Sequence, residues 1–517
     1  MKTKLLYLLF FVSFFQISMA QNVTLDTSFG VGGITVIPIS QTNENILGLE
    51  YQSDGKIVCL TSFTNQNNSN IVLTRYSSEG ILDSSFGIAG YVSTDINYDF
   101  PINSIKIQND DKILVSGRNT DNNNQISVFR YDKDGIIDTS FGNFGVSNSF
   151  DNFYECSIDI QNDLKIVLAG SCFNNGSDFG ISRLNSDGSI DQSFGNLGKI
   201  NYNIGGNLLN TDDRVCSVKV LLDDKIVISG YSFATSNTID FAMVKLNTDG
   251  TLDTSFGNEG IVVDDYGGSE YFVCLNSDSN NNLYVGGISG FNSSSGVAIG
   301  KYNANGVLDA TFGNQGKVIT NSTEGTNFSI SDFSISDDGK ITCVGYDYNQ
   351  STQLSDMLLL KYSNSGILDV SFDSDGVYIK DFNNLSDGLS TLKLKTDGKI
   401  LCGGSINFGT SSNSDSALVQ FNVTNLSTSL FSKPQFSVSP NPFTTSINLT
   451  FSLSKNEILT IDLVDANGRL IQNLSNEKSF SSGNNSLYLD LPETLSKGIY
   501  FLKINDGFEN NTIKIIK

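Results

Sequence analysis

A hexapeptide recurs seven times in this chain, and its spacing decides what the chain can fold into. The copies are LDTSFG (25–30), LDSSFG (82–87), IDTSFG (137–142), IDQSFG (190–195), LDTSFG (252–257), LDATFG (308–313) and LDVSFD (368–373). Successive copies begin 53 to 62 residues apart, and a glycine follows each Phe by four positions, from Gly33 to Gly376. Two further marks fall inside the period. One is a turn leading into a strand, as in DGKIVCL (54–60), DDKIVISG (223–230) and DGKILCGG (397–404). The other is an apolar strand ending in a turn, as in LTRYSSEG (73–80) and VFRYDKDG (128–135). Asp-Gly pairs supply the positive φ values that tight hairpins need. One period therefore holds four short strands joined by hairpins, an antiparallel meander.

Meanders of four strands repeated around an axis are the blades of a β-propeller, whereas β-solenoids have shorter, parallel coils. The expected fold is all-β: a seven-bladed β-propeller of four-stranded antiparallel blades over residues 22–425. NSIKIQ (103–108) reads as the innermost strand A, KILVSG (112–117) as B, ISVFRY (126–131) as C, and the SFG mark together with the residues after it as D. The chain then opens on a lone D strand near residues 24–37 and its last repeat ends on ALVQFN (417–422). The N-terminal strand is expected to pair with ALVQFN and close the ring, leaving no exposed edge.

These marks resemble the delta-60 repeats, a bacterial β-propeller repeat family, and more loosely the NHL repeats. The resemblance spans residues 22–425 and implies a fold without an established activity. Thr61 stands where other repeats place Gly, and NNLYVGG (281–287) lacks the Asp and Lys of the turn.

Both ends carry address labels. Residues 1–20 read as a signal peptide: Lys2 and Lys4, an apolar run from Leu5 to Phe15, and Ser18-Met19-Ala20 before Gln21. Residues 426–435 break the period and read as a linker. Residues 436–517 alternate like strands around an Asn-Gly turn at 467–468, the pattern of a small Ig-like β-sandwich. Pro440, Asn441, Pro442, Gly468, Arg469, Gly498 and Tyr500, with a lysine-ended last strand, resemble the type A C-terminal sorting domain of type IX secretion. That resemblance implies a Bacteroidota-type host, the type IX translocon as partner, and a secreted or outer-membrane-surface location.

Composition narrows the function classes. Net charge is −23, or −25 once Lys2 and Lys4 leave with the leader, so phosphate backbones and anionic lipid are repelled and nucleic acid is not an expected partner. No later segment is apolar enough to cross a bilayer as a helix. The chain has no histidine, which removes Ser-His-Asp and Cys-His catalysis and His-ligated zinc. No catalytic site, cofactor site or metal site is therefore assigned, and the chain is read as a non-enzyme. The seven cysteines lack CxxC spacing. Cys59, Cys343 and Cys402 share one strand position, and Cys156, Cys216 and Cys274 share a place on the preceding strand; both sets read as small core residues. A disulfide between Cys156 and Cys172 is the one candidate pairing.

The aspartates before SFG (Asp26, Asp83, Asp138, Asp191, Asp253, Asp309, Asp369) read as turn caps, because a catalytic group has no reason to occur seven times. Calcium is a weak candidate at YDKDG (131–135), DSDG (373–376) and SDSNNN (277–282), where turn chemistry also suffices. The B–C and D–A loops vary in length and sequence, and in a propeller they share one face, where binding is expected. Phe173, Tyr231, Phe233, Tyr346, Tyr348 and Phe408 are the candidate ligand-face aromatics, with packing of their own loops as the alternative. The leading expectation is a binding or adhesion protein for a glycan or protein. A carbohydrate-active hydrolase or lyase using loop carboxylates, or a structural matrix protein, are the alternatives.

Overall fold

The computed structural model describes residues 21–517 except 38–42, 66–67, 96–101, 120–124, 150–152, 174–176, 205–211, 234–238, 291–295, 323–324, 410–413, 426–435, 454–456, 467, 482 and 506–509. The expected signal peptide and linker lie outside the described residues. The chain divides into two compact units, Met1–Asn425 and Leu426–Lys517. Among the described residues there is no helix, and so none that could cross a membrane.

The first unit is a succession of antiparallel meanders in propeller-like blades: six sheets of four strands and one of five. In the first sheet, strand A is Glu44–Tyr51, B is Ile57–Asn65, C is Asn68–Tyr76 and D is Tyr91–Asp95. The spatial order A-B-C-D repeats in each four-stranded sheet. Strands B and C are covered on both faces by neighbouring sheets, so they read as continuous apolar runs rather than alternating ones. Ile57, Val58, Cys59 and Leu60 are all fully buried. Every A–B pair carries a register shift, for example between Ile46 and Gly48 or between Ile330 and Asp332. Such bulges bend a strand, and here they sit on the strands that line the central cavity.

The SFG mark, expected within strand D, is instead a turn that precedes it. In the second sheet Phe141 N donates to Asp138 O and Gly145 N donates to Phe141 O, 3.0 and 2.8 Å. Gly142 sits at φ +53°, and a Cβ there would lie 2.3 Å from Val146 O, so this copy of the turn leaves no room for a side chain. In the divergent sixth sheet, Asp373 holds the same left-handed conformation at φ +47°. The SFG phenylalanines are buried between sheets.

Residues 24–37, expected as one strand, form parts of two, because the LDTSFG turn divides them. Gln21–Leu25 and Ile34–Ile37 both pair antiparallel with Asp415–Asn425, with Leu25 opposite Phe421 and Ile34 opposite Val419. Between them Asp26 N donates to Gln420 O and Gln420 N donates to Gly33 O. The SFG glycines link successive sheets: Gly87 N donates to Asp134 O, Gly142 N to Asp187 O, and Gly30 N to Glu79 O. Phe29 from the N-terminal segment, Ile46 and Leu49 from the first sheet, and Leu401 and Leu418 from the last share one buried cluster.

The cysteines need two corrections. Cys172 is a free thiol whose cross-strand neighbour is Phe153, three residues from Cys156, so the candidate disulfide is not formed. Cys216 falls in the register shift of its A strand, whereas Cys274 lies past its own shift, opposite Gly286. The two therefore differ by one position, an offset that bulges hide from a residue count.

The second unit packs a three-stranded sheet (Ser437–Ser439, Ser446–Leu453, Gly483–Asp490) and a four-stranded sheet (Leu470–Phe480, Glu457–Asp465, Ile499–Asn505, Asn510–Ile516) around its own core. Ile447, Leu449, Ile461, Leu463 and Leu502 lie fully buried at its centre.

Candidate functional site

The seven repeated aspartates do cap turns. In each copy one carboxylate oxygen accepts from the backbone N–H and hydroxyl two residues on, as Asp138 Oδ1 does from Ser140 at 3.1 and 2.5 Å. The other oxygen takes a cation: Arg130 Nε at 2.9 Å and Lys112 Nζ at 3.3 Å on Asp138 Oδ2. The guanidinium of Arg130 lies 4.4 Å from the Phe141 ring centroid, and Arg183 does the same over Phe194. Arg130 then donates to Ser186 O in the next sheet. The repeat is thus a cation–carboxylate–aromatic staple between sheets. Strand C's penultimate basic residue and the turn lysine belong to it, although neither was singled out from the sequence. Burial alone would push the Asp138 carboxyl up; the Ser140 donors and the Arg130 charge outweigh it and hold it at about 2.

A central cavity of about 330 Å³ is lined by A-strand residues from all seven sheets. Its charges alternate around part of the ring. Lys393 lies 2.8 Å and Lys106 3.9 Å from Glu50, and Lys106 lies 3.6 Å from Asp159. Asp332 is engaged by Thr391 Oγ1 and Leu392 N, so this cavity's carboxylates are structurally committed.

A second cavity, of about 600 Å³, opens between the loops of the sixth, seventh and first sheets. Asn43, Asn45, Tyr346, Ser386, Asp387 and Asn407 contribute to its lining. Of the six candidate aromatics, only Tyr346 lines it. Phe173, Phe233 and Tyr346 are exposed. Tyr348 is half-buried, Tyr231 packs edge-on to Tyr271 at 5.2 Å, and Phe408 rests on the core cluster of the last sheet. Parts of the B–C and D–A loops lie outside the described residues.

Carboxylates gather on the B–C and D–A loop side in two groups, Asp240–Asp265–Glu270 and Asp356–Asp381–Asp387. Within each group one oxygen per residue lies within 4.8 Å of the others. Burial raises the Glu270 carboxyl, and the charges of Asp265 and Asp240 add to it. Burial pushes Asp387 up to about 6, against the N–H donors of Asn407 and Phe382. The calcium candidates drawn from sequence are different residues and serve as turns: Asp132 Oδ1 accepts from Asp134 N and Ile136 N, Asp278 Oδ1 from Asn280 N and Asn282 N, and Asp375 Oδ1 from Val377 N.

In the C-terminal unit the motif residues meet around the last strand. Asn441 Nδ2 donates to Lys514 O at 3.1 Å and Asn441 Oδ1 accepts from Ile516 N at 2.8 Å. Pro440 and Pro442 flank it on the surface. Gly498 and Lys517 exchange backbone hydrogen bonds, and Tyr500 OH donates to Ser496 O. Gly468 and Arg469 sit apart, on the hairpin closed by Asp465, with the Arg469 side chain 84% exposed.

Comparison with known proteins agrees with these two units. Residues 437–517 match the secretion system C-terminal sorting domain. Residues 52–86, 108–141, 161–194, 222–256 and 278–312 match the Domain of unknown function (DUF5122) beta-propeller. No curated protein matches the sequence. Among solved structures, the polysaccharide lyase Uly1 is 11% identical, with 77% of this chain and 92% of that one covered at a TM-score of 0.45. A PL25 ulvan lyase is 12% identical over 74% and 95%, at 0.44. The beta-propeller domain of the Trilobed protease from Pyrococcus furiosus is 8% identical over 73% and 95%, at 0.39. The chain thus carries five stretches that match the DUF5122 beta-propeller and a tail that matches the secretion system C-terminal sorting domain, which supports export.

Proposed function

We propose that the first unit is a seven-bladed ring closed by its N-terminal strands, working outside the cell as a non-enzymatic glycan-binding protein. Pairing of Gln21–Leu25 and Ile34–Ile37 with Asp415–Asn425 supports the closed ring, as does the Gly30–Glu79 link to the first sheet. The observation that carries the binding reading is the 600 Å³ loop cavity. Its amides, hydroxyls and single exposed tyrosine match the needs of a sugar, which offers hydroxyls at its edge and C–H groups on its face. A glycoside hydrolase of the usual kind would need two carboxylates, about 5–5.5 Å apart in retaining and 6.5–9.5 Å apart in inverting enzymes. Among the described residues, loop carboxylates gather in two groups of three, one oxygen of each within 4.8 Å of the others.

The test is a glycan array probed with the mature chain, followed by incubation of each hit with the protein. Binding without new reducing ends or unsaturated uronate, and its loss in Tyr346→Ala, is the expected result. Silence across the array would overturn glycan binding, and chain cleavage would replace it with the enzyme reading.

A further inference from the structure

We propose that the two carboxylate triads are calcium sites. They are the same site built twice. In the fourth sheet Asp240 begins strand C (Asp240–Leu246), and pairing of Phe241 with Asp264 sets Asp265 beside it. In the sixth sheet Asp356 lies in strand C (Leu354–Tyr362), and pairing of Met357 with Lys380 sets Asp381 beside it. The third ligand comes from the start of the following sheet and is fixed by the same backbone bond. Glu270 N donates to Ile239 O at 3.0 Å, and Asp387 N donates to Ser355 O at 2.7 Å. That bond recurs between Asp213 N and Ser177 O, but Asn203 there replaces the middle carboxylate.

A cluster of acids alone would be ordinary surface charge. Here Glu270 is fully buried; Ser289 Oγ donates to its Oε1 at 3.4 Å, and its Oε2 has no hydrogen-bond partner among the described residues. In the second triad Asp387, at the place of Glu270, accepts from Asn407 N and Phe382 N. The unsatisfied oxygen is instead Oδ1 of the adjoining Asp347, which pairs across the sheet with Asp356, is 7% exposed, and has no partner for that atom among the described residues. A buried carboxylate oxygen without a donor is costly, and three carboxylates with oxygens within 4.8 Å of one another repel. The nearby ammonium of Lys317 is held by Asp264 and by the backbone oxygen of Asp265. A divalent cation removes both costs. Calcium takes oxygen ligands at about 2.3–2.6 Å, so opposite ligands of one ion stand about 4.6–5.2 Å apart. In each triad one oxygen per residue lies within 4.8 Å of the others, close enough to share one ion. Calcium also fits an extracellular protein, where sites with dissociation constants of about 10⁻⁴–10⁻³ M are filled. The inference does not depend on the glycan reading.

The experiment is equilibrium dialysis of the chelator-stripped mature chain against radioactive calcium, with thermal melts in EDTA and in calcium. Two ions per chain and a rise in melting temperature with calcium are expected. Glu270→Gln and Asp387→Asn should each remove one ion, and the double variant both. Asp387→Asn also loses an acceptor for Phe382 N or Asn407 N, so the readout is the ion count and the calcium-induced rise over each variant's own melt in EDTA. Asp278→Asn, in a turn, should keep both ions. A parent that binds no calcium at 10 mM overturns the proposal. So does a double variant that binds as the parent does.

Discussion

Asp26 and Gln420 are hydrogen-bonded at 2.7 Å across 394 positions of the chain. Asp26 also receives Lys399 Nζ at 2.8 Å and the hydroxyl of Ser28 at 2.7 Å. The first repeat mark is therefore read by the last repeat's strands, in the arrangement that Asp138 makes with Arg130 and Lys112 inside one sheet.

Removal of residues 21–37 should expose the edge of Asp415–Asn425 and unseat Val23, Phe29 and Ile37, all buried. At about 1.5–3 kcal/mol per large apolar side chain, the loss is about 5–9 kcal/mol at most. A lower melting temperature and self-association in size-exclusion chromatography are expected, because a bare edge templates pairing. A monomeric truncated chain with the parent's melting curve would contradict this.

The repeated aspartates predict acid lability. Asp138, Asp253 and Asp309 are held at about 2, against an ordinary 3.8. In Asp138 and Asp253 burial opposes the lowering, and the Ser140 and Lys225 bonds lead the groups that outweigh it; in Asp309 the Thr311 bond leads. A depressed carboxyl contributes stability above the unfolded value, and that stability is lost as pH falls through the folded one. The window is therefore pH 4 to 2. Asp138→Asn should cost about 2 kcal/mol at pH 7 and almost nothing at pH 2. Circular dichroism melts at the two pH values check this, and an equal penalty at both would refute it.

Architecture was legible because it repeats: an LDxSFG mark and a DGKI turn in one chain report seven copies of one local structure. The loop-side acids were not read from the sequence because no motif marks them, although Asp240 and Asp265 stand 25 positions apart, as do Asp356 and Asp381. The equal spacing carries no meaning until the pairing of Phe241 with Asp264 and of Met357 with Lys380 sets the acids side by side. The SFG turn was misplaced for a related reason. Its Phe is as buried as a strand residue, but the left-handed glycine after it ends any strand. Among the aromatics, Tyr346 and Phe408 have similar sequence surroundings, and packing alone distinguishes a cavity residue from a core one.

A left-handed position recurs just before the second glycine in six of the seven marks. Ala89, Phe144, Leu197, Glu259 and Gln315 all sit at φ 52–54°, and in the first copy the position is Gly32 at φ +66°. A non-glycine residue in this region costs about 1 kcal/mol. Phe144 is 79% exposed, so its side chain gains little from packing. Phe144→Gly should stabilise the protein by roughly 0.5–1 kcal/mol, read as a higher urea midpoint with unchanged slope. A lower midpoint would mean that the Phe144 ring makes contacts that outweigh the strain.

Asn441 fixes the final strand of the sorting domain at two points, Lys514 O and Ile516 N, and neither contact uses the core. Asn441→Ala removes both bonds, at about 1–3 kcal/mol, and leaves Ile447, Leu463 and Leu502 packed. Asn441→Asp keeps the acceptor for Ile516 N and loses the donor to Lys514 O. Because the second unit has its own core, the damage should stay within it. In a host with type IX secretion, export of the Ala variant should fall and that of the Asp variant should be intermediate. Protein retained in the periplasm should still resist protease over residues 21–425. If the Ala variant reached the surface at the parent's rate, the clamp on the last strand would be irrelevant to recognition. The translocon would then be reading the exposed Gly468-Arg469 hairpin instead.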